Sequence, residues 1–102
     1  MGLATLVRDD EADGSRLVVV GEIDVNNVDE FDAALRDLVG SSAHAIVDLT
    51  DVTLFGSSAL GALIGAKHVA VARDTRMLVR PSRIVRRVLE VTQLDETFAL
   101  TA

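Results

Sequence analysis

Ala45-Ile46-Val47-Asp48-Leu49 is a short, apolar, β-branched run, and the segment Ser57 to Ala72 that follows carries Leu60, Leu63, Ile64 and Val71 at helical spacing. These two periods predict a buried strand followed by an amphipathic helix. The same alternation repeats outward in both directions. On the N-terminal side Val28, Phe31, Ala34, Leu35, Leu38 and Val39 recur at intervals of three or four, with Asn27 and Glu30 placed as a capping box and Gly40 as a stop. Leu3 to Arg8 alternates, Leu17 to Val20 is apolar, and the polar stretch Asp9 to Ser15 between them predicts the turn of an opening hairpin. On the C-terminal side Met77-Leu78-Val79 predicts a strand ended by Arg80-Pro81. Ser82 then caps a helix carrying Ile84, Val85, Val88 and Leu89, and Leu94, Phe98 and Leu100 form a loosely periodic tail.

Strands alternating with helices predict a parallel sheet, because each parallel pair needs a crossover. The expected architecture is α/β: one domain over residues 1–102, a mixed, mostly parallel sheet with an N-terminal hairpin strand, and helices packed against it. Val19, Ile46, Leu49, Leu60, Leu63, Leu78, Val85 and Leu89 are the expected core. Gly61 and Gly65 inside a helix each cost about 1 kcal/mol relative to Ala, which predicts close approach of that helix to a neighbouring strand.

Composition narrows the function. The 102 residues contain no Cys, Trp or Tyr and three Phe, so a disulfide framework, a thiolate metal site and an aromatic base-stacking platform are excluded. Lys+Arg 10 against Asp+Glu 16 leaves a net charge of −6, which repels phosphate, and the Arg83, Arg86, Arg87 group is too small to outweigh it. No direct nucleic-acid contact is expected. The acidic residues concentrate in residues 1–50, which suits steering of a complementary partner or simply a solvated surface. No apolar run reaches the ~20 residues of a membrane span, and Met1-Gly2-Leu3 does not open a signal peptide. The chain is expected in the cytoplasm, away from membranes.

Gly56-Ser57-Ser58-Ala59-Leu60-Gly61 lies at a strand-to-helix junction, where α/β folds place ligands and free helix N–H groups favour an anion. A nucleophile elbow fails because Leu60 stands where its second Gly belongs, and His44 and His68 are the only candidate histidine bases. A P-loop fails because Ala62 and Leu63 follow Gly61 in place of Lys and Ser or Thr. Glu22 and Asp24 have no further ligand beside them for a metal. The bland alternative makes Glu22 and Asp24 loop residues, Asn26 or Asn27 a helix cap, and Ser57 or Ser58 the cap of the second helix.

Four blocks in register carry a family resemblance: Gly21-Glu22-Ile23-Asp24; Val47-Asp48-Leu49-Thr50-Asp51-Val52; Phe55-Gly56-Ser57-Ser58-Ala59-Leu60-Gly61; and Pro81-Ser82 with Val88-Leu89-Glu90-Val91-Thr92-Gln93-Leu94-Asp95. Together they resemble the STAS domain of bacterial anti-sigma factor antagonists. The resemblance implies a non-enzymatic switch, without a cofactor of its own, that binds an anti-sigma factor with serine kinase activity and so releases a sigma factor. ATP and Mg²⁺ come with that partner. It implies Ser58 as phospho-acceptor, with Ser57 the alternative. Because both segments should emerge at one end of a parallel sheet, Glu22, Asp24, Asn26, Gly56, Ser57, Ser58 and Gly61 are the expected partner surface, in a monomer or weak dimer. The family commonly has Asp where this chain has Gly56, and Gly where it has Ala59. A second class is a STAS module that binds a nucleotide or small ligand, or scaffolds a larger sensory complex.

Overall fold

The structure, a computed structural model, describes residues 5–11 and 14–100. Their elements run β1 (Thr5–Glu11), β2 (Gly14–Ile23), α1 (Val28–Ser41), β3 (His44–Phe55), α2 (Ser57–Ala72), β4 (Arg76–Pro81), α3 (Arg83–Val91) and β5 (Ala99–Leu100). The strands lie in the order β1-β2-β3-β4-β5, with β1 antiparallel to β2 and every later pair parallel. The expected mixed, mostly parallel α/β sheet with a hairpin strand is therefore present.

The strand order decides where the core sits. Each crossover steps to the next strand in the same direction, and right-handed crossovers that never reverse return every helix over one face. Leu17 and Val19 of β2, Ala45, Val47 and Leu49 of β3, and Met77 and Val79 of β4 point into that face and are buried. Phe31, Leu35, Leu38 and Val39 of α1, Leu63 of α2, and Val85 and Leu89 of α3 join them in one cluster, which Phe98 closes. The opposite face carries the intervening residues. Ile46 and Leu78, expected in the core, lie there half-buried, because β3 and β4 are covered on one side only. Val19, Leu49, Leu63, Val85 and Leu89 are core residues as expected.

The second helix has the expected limits but a different buried face. Ala59, Ala62, Leu63, Ala66 and Ala70 are buried, Leu60 and Ile64 sit at the margin, and Val71 is exposed. Alanines, not glycines, give the close approach: a Cβ at Gly61 would meet nothing within 4 Å, and one at Gly65 only a guanidinium nitrogen of Arg36 at 3.7 Å. Nothing in the packing explains glycine at position 61.

Three local expectations also change. Within the expected turn Asp9 to Ser15, Asp9–Glu11 and Gly14–Ser15 are strand, since Asp9 faces Arg16 and Asp10 faces Ser15 across the hairpin, and Ala12 and Asp13 lie outside the described residues. Arg16 Nη2 donates to Asp9 Oδ2 at 2.8 Å, and hydrogen bonds from Ser15 and then Arg8 hold the Asp10 carboxyl below its ordinary value. Arg8 also reaches α1, donating to Asp37 Oδ2 and Ser41 Oγ, each at 2.6 Å. Leu3, at the start of the expected first strand, lies outside the described residues. Gly40 is internal to α1, which stops at Ser41 where Ser42 turns extended. Asn27 precedes α1 without capping it through its side chain. Ser82 does cap α3, accepting from the Val85 N–H at 3.2 Å.

Leu63→Ala is expected to cost about 2–5 kcal/mol, as truncation of a fully buried Leu does, whereas exposed Val71→Ala should stay within about 0.5 kcal/mol. Urea denaturation of the two variants measures both. Equal shifts would mean that α2 faces the sheet differently.

Candidate functional site

The C-terminal ends of β2 and β3 bring the two sequence-predicted segments together. Ile23 and Phe55 are paired neighbours, and Gly56 N–H donates to the Ile23 carbonyl at 3.3 Å, so α2 starts beside the point where β2 ends. Below the junction Phe55 meets Phe31 of α1 edge to face, with ring centroids 6.2 Å apart.

Between Ile23 and α1 the chain makes a tight turn latched by Asn27. Its Oδ1 accepts from Asp24 N–H at 2.9 Å and its Nδ2 donates to the Glu22 carbonyl at 2.8 Å. The Asp24 carbonyl accepts from the N–H groups of Asn27 and Val28, and its Oδ1 accepts from Asn26 N–H at 2.9 Å. Asn27 thus spends its side chain on the turn, which is why it does not cap the helix. Gly21, at φ 108°, lies at a register shift of β2 against β3, a backbone that L side chains rarely adopt. Bulges of this kind re-aim the residues that follow them.

The predicted residues share this end of the sheet. Glu22, Asp24, Gly56 and Ser58 are half-buried, while Asn26, Ser57 and Gly61 are exposed. Gly56, not Ser57 or Ser58, holds the N-cap position, in extended conformation. The serines are the first residues of α2, where helix N–H groups lack intrahelical acceptors. Neither serine hydroxyl is hydrogen-bonded among the described residues. A Cβ at Gly56 would meet only the Ile23 carbonyl oxygen, at 3.8 Å, so a side chain fits there.

Two apolar residues that the sequence reading passed over complete the surface. Val25, 76% exposed, stands at the tip of the Asn27-latched turn, and Leu54, 44% exposed, pairs in register with Glu22. An apolar residue inside the polar run Asp24-Val25-Asn26-Asn27 was the available signal for the first; the second is visible only once β3 is known to continue past Leu49.

The site contains hydroxyls, a helix N-terminus, carboxylates and exposed apolar side chains. His44 begins β3, at the far end from Ser58, and His68 lies late in α2. Among the described residues no cluster of His, Cys, Asp and Glu could hold a metal. Among the described residues the strand order never reverses, so the sheet there lacks the topological switch point that doubly wound folds use.

The family model of the STAS domain matches residues 8–102. The chain belongs to the STAS domain family. Solved structures similar to this STAS domain include an anti-sigma factor antagonist from Mycobacterium paratuberculosis, at 29% identity and TM-score 0.85 over 96% of this chain and 85% of that one. A putative anti-sigma factor antagonist from Thermotoga maritima matches at 19% identity and TM-score 0.77, over 93% of this chain and 84% of that one. The Bacillus cell fate determinant SpoIIAA in its phosphorylated form matches at 18% identity and TM-score 0.71, over 96% and 92% respectively. Among curated proteins there is no significant match. No helix among the described residues of this STAS domain is long and apolar enough to cross a membrane.

Gly21→Ala is expected to destabilise the domain by at least about 1 kcal/mol, since it forces an L residue to positive φ. Gly61→Ala, in open space on a helix, should be neutral or stabilising by up to about 1 kcal/mol. Thermal unfolding of the pair checks both signs. A stabilised Gly21→Ala would mean that the bulge relaxes without glycine.

Proposed function

We propose that this STAS domain is an anti-sigma factor antagonist of the cytoplasm, a binding module without catalysis of its own, switched by phosphorylation of Ser58. The observation that carries the proposal is the Ser58 hydroxyl, unbonded among the described residues in the first turn of α2, beside the turn that holds Asp24. The similarity to solved anti-sigma factor antagonists supports the role, and the phosphorylated form of one of them supports a fold that tolerates a phosphate.

The partner docks on Glu22, Asp24, Val25, Asn26, Leu54 and the first turn of α2. Val25 and Leu54 supply the apolar contact, and the carboxylates set orientation and on-rate. The partner is an anti-sigma factor with serine kinase activity and brings ATP and Mg²⁺. In the transfer Ser58 Oγ bonds to the γ-phosphorus as the bond from that phosphorus to the ADP oxygen breaks, and the hydroxyl proton passes to a base on the partner. The phosphate adds about −1.5 to −2 charges at pH 7. The N-terminus of α2 offsets part of this through its N–H groups and dipole, so the fold persists while Asp24 and the new anion repel a partner that was complementary to the free surface.

Incubation with the co-purifying kinase and ATP, followed by mass spectrometry, is expected to place one phosphate on Ser58 and none on a Ser58→Ala variant. Phosphate on Ser57, or undiminished transfer to Ser58→Ala, would refute the acceptor. Asp24→Ala should weaken partner binding, measured by calorimetry, more than Glu30→Ala at an exposed position of α1; equal losses would move the docking surface elsewhere.

A further inference from the structure

The uncovered face of the sheet carries a second feature, at the opposite end of β3 from Ser58. Near the starts of β2, β3 and β4 a concavity of about 390 Å³ is lined by Arg16, His44, Ile46, Arg76, Leu78 and Arg80. Its volume falls in the range of small-ligand sites, roughly 300–1,000 Å³. The strand register explains how these residues meet. Arg16, Ile46 and Leu78 form one row across three strands, His44 and Arg76 the row below, and Asp48 and Arg80 the row above. Arg76 and Arg80 are each two residues from Leu78 and so share its face, which brackets an apolar floor between two guanidinium groups.

The charge at this place opposes that of the whole chain. The protein carries −6, yet three arginines and a histidine converge here. Two carboxylates lie nearby: Asp9 pairs with Arg16, and Asp48, opposite Arg80 in register, turns its Oδ1 to Thr50, accepting from Oγ1 at 2.6 Å and from N–H at 3.1 Å. Among the described residues no carboxylate pairs with Arg76 or Arg80. The Nε of half-buried Arg80 is shut off from solvent and has no hydrogen-bond acceptor among those residues. Burial of part of the Arg80 side chain raises the cost of its charge, and an anion in the cleft lowers that cost. A Cβ at Gly14 would lie 2.7 Å from the His44 carbonyl oxygen, so the rim on that side is set by backbone.

We propose that this cleft binds a small amphipathic organic anion, its carboxylate or phosphate on Arg80 and Arg76 and its apolar chain or ring on Ile46 and Leu78. Guanidinium forks suit both oxyanions, and the apolar floor separates such a ligand from inorganic ions. The site does not depend on the partner-switching role and shares none of its residues.

Titration of the full chain with octanoate, octyl phosphate, inorganic phosphate and octanol, followed by amide NMR shifts, tests the assignment. At least one of the two amphipathic anions should shift the amides of Arg16, Ile46, Leu78 and Arg80 saturably, at least about tenfold more tightly than octanol or inorganic phosphate. The tighter of the two names the headgroup. Arg80→Ala and Arg76→Ala should each raise Kd about tenfold, and exposed Arg76 keeps the test open if Arg80→Ala fails to fold. Saturable shifts centred elsewhere, octanol or inorganic phosphate binding as tightly as the anions, no binding of either anion, or an affinity unchanged in Arg76→Ala would each overturn the proposal.

Discussion

Every crossover after the hairpin steps one strand further in the same direction, and right-handed chirality therefore stacks α1, α2 and α3 on one side of the sheet. The remaining architecture depends on this. Parallel strands buried on both faces read as continuous apolar runs. Here β2, β3 and β4 need apolar residues only at alternate positions, and the intervening ones are free to carry Arg16, Asp48 and Arg80. The one covered face then holds the buried cluster, in which Val, Leu, Ile and Ala predominate over Phe31, Phe55 and Met77 and which Phe98 closes.

The same constraint separates two kinds of chemistry along β3. At its C-terminal end the chain leaves the sheet for α2 and presents hydroxyls, helix N–H groups and an Asn27-latched turn with exposed Val25. At its N-terminal end the open face gathers arginines over Ile46 and Leu78. One surface carries carboxylates and exposed apolar points; the other is a cationic depression of small-ligand size. The two lie at opposite ends of β3.

Short polar side chains do the fine positioning. Asn27 satisfies Asp24 N–H and the Glu22 carbonyl in place of capping α1, and Gly21 supplies the positive φ where β2 shifts register. Thr75 similarly ties the start of β4 to the end of α1, its Oγ1 donating toward the Val39 and Ser42 carbonyls at 3.2 and 3.0 Å. Each bond is modest, about 0.5–1.5 kcal/mol net, but each removes a buried unpaired group that would cost more.

Periodicity and caps were legible without a structure wherever the interaction is local. The limits of α2, Ser57 to Ala72, and the Ser82 cap of α3 follow from residues within one helical turn of each other, and the four sequence blocks suffice for the family resemblance. The end of β3 was not legible. Its buried residues change from alternate spacing, Ala45, Val47, Leu49, to three-residue spacing, Val52 and Phe55, because the register against β2 shifts twice. A search for period two stops at the first bulge and loses Leu54 with it. Nor could the chain alone say which side of Ile46 and Leu78 the helices cover, or that alanines rather than Leu60 and Val71 form the buried face of α2. Local propensity and capping act between neighbours and are written in sequence order; the uncovered face, the arginine cleft and the placement of the start of α2 beside the end of β2 arise from strand order and register, which bring together residues far apart in the chain.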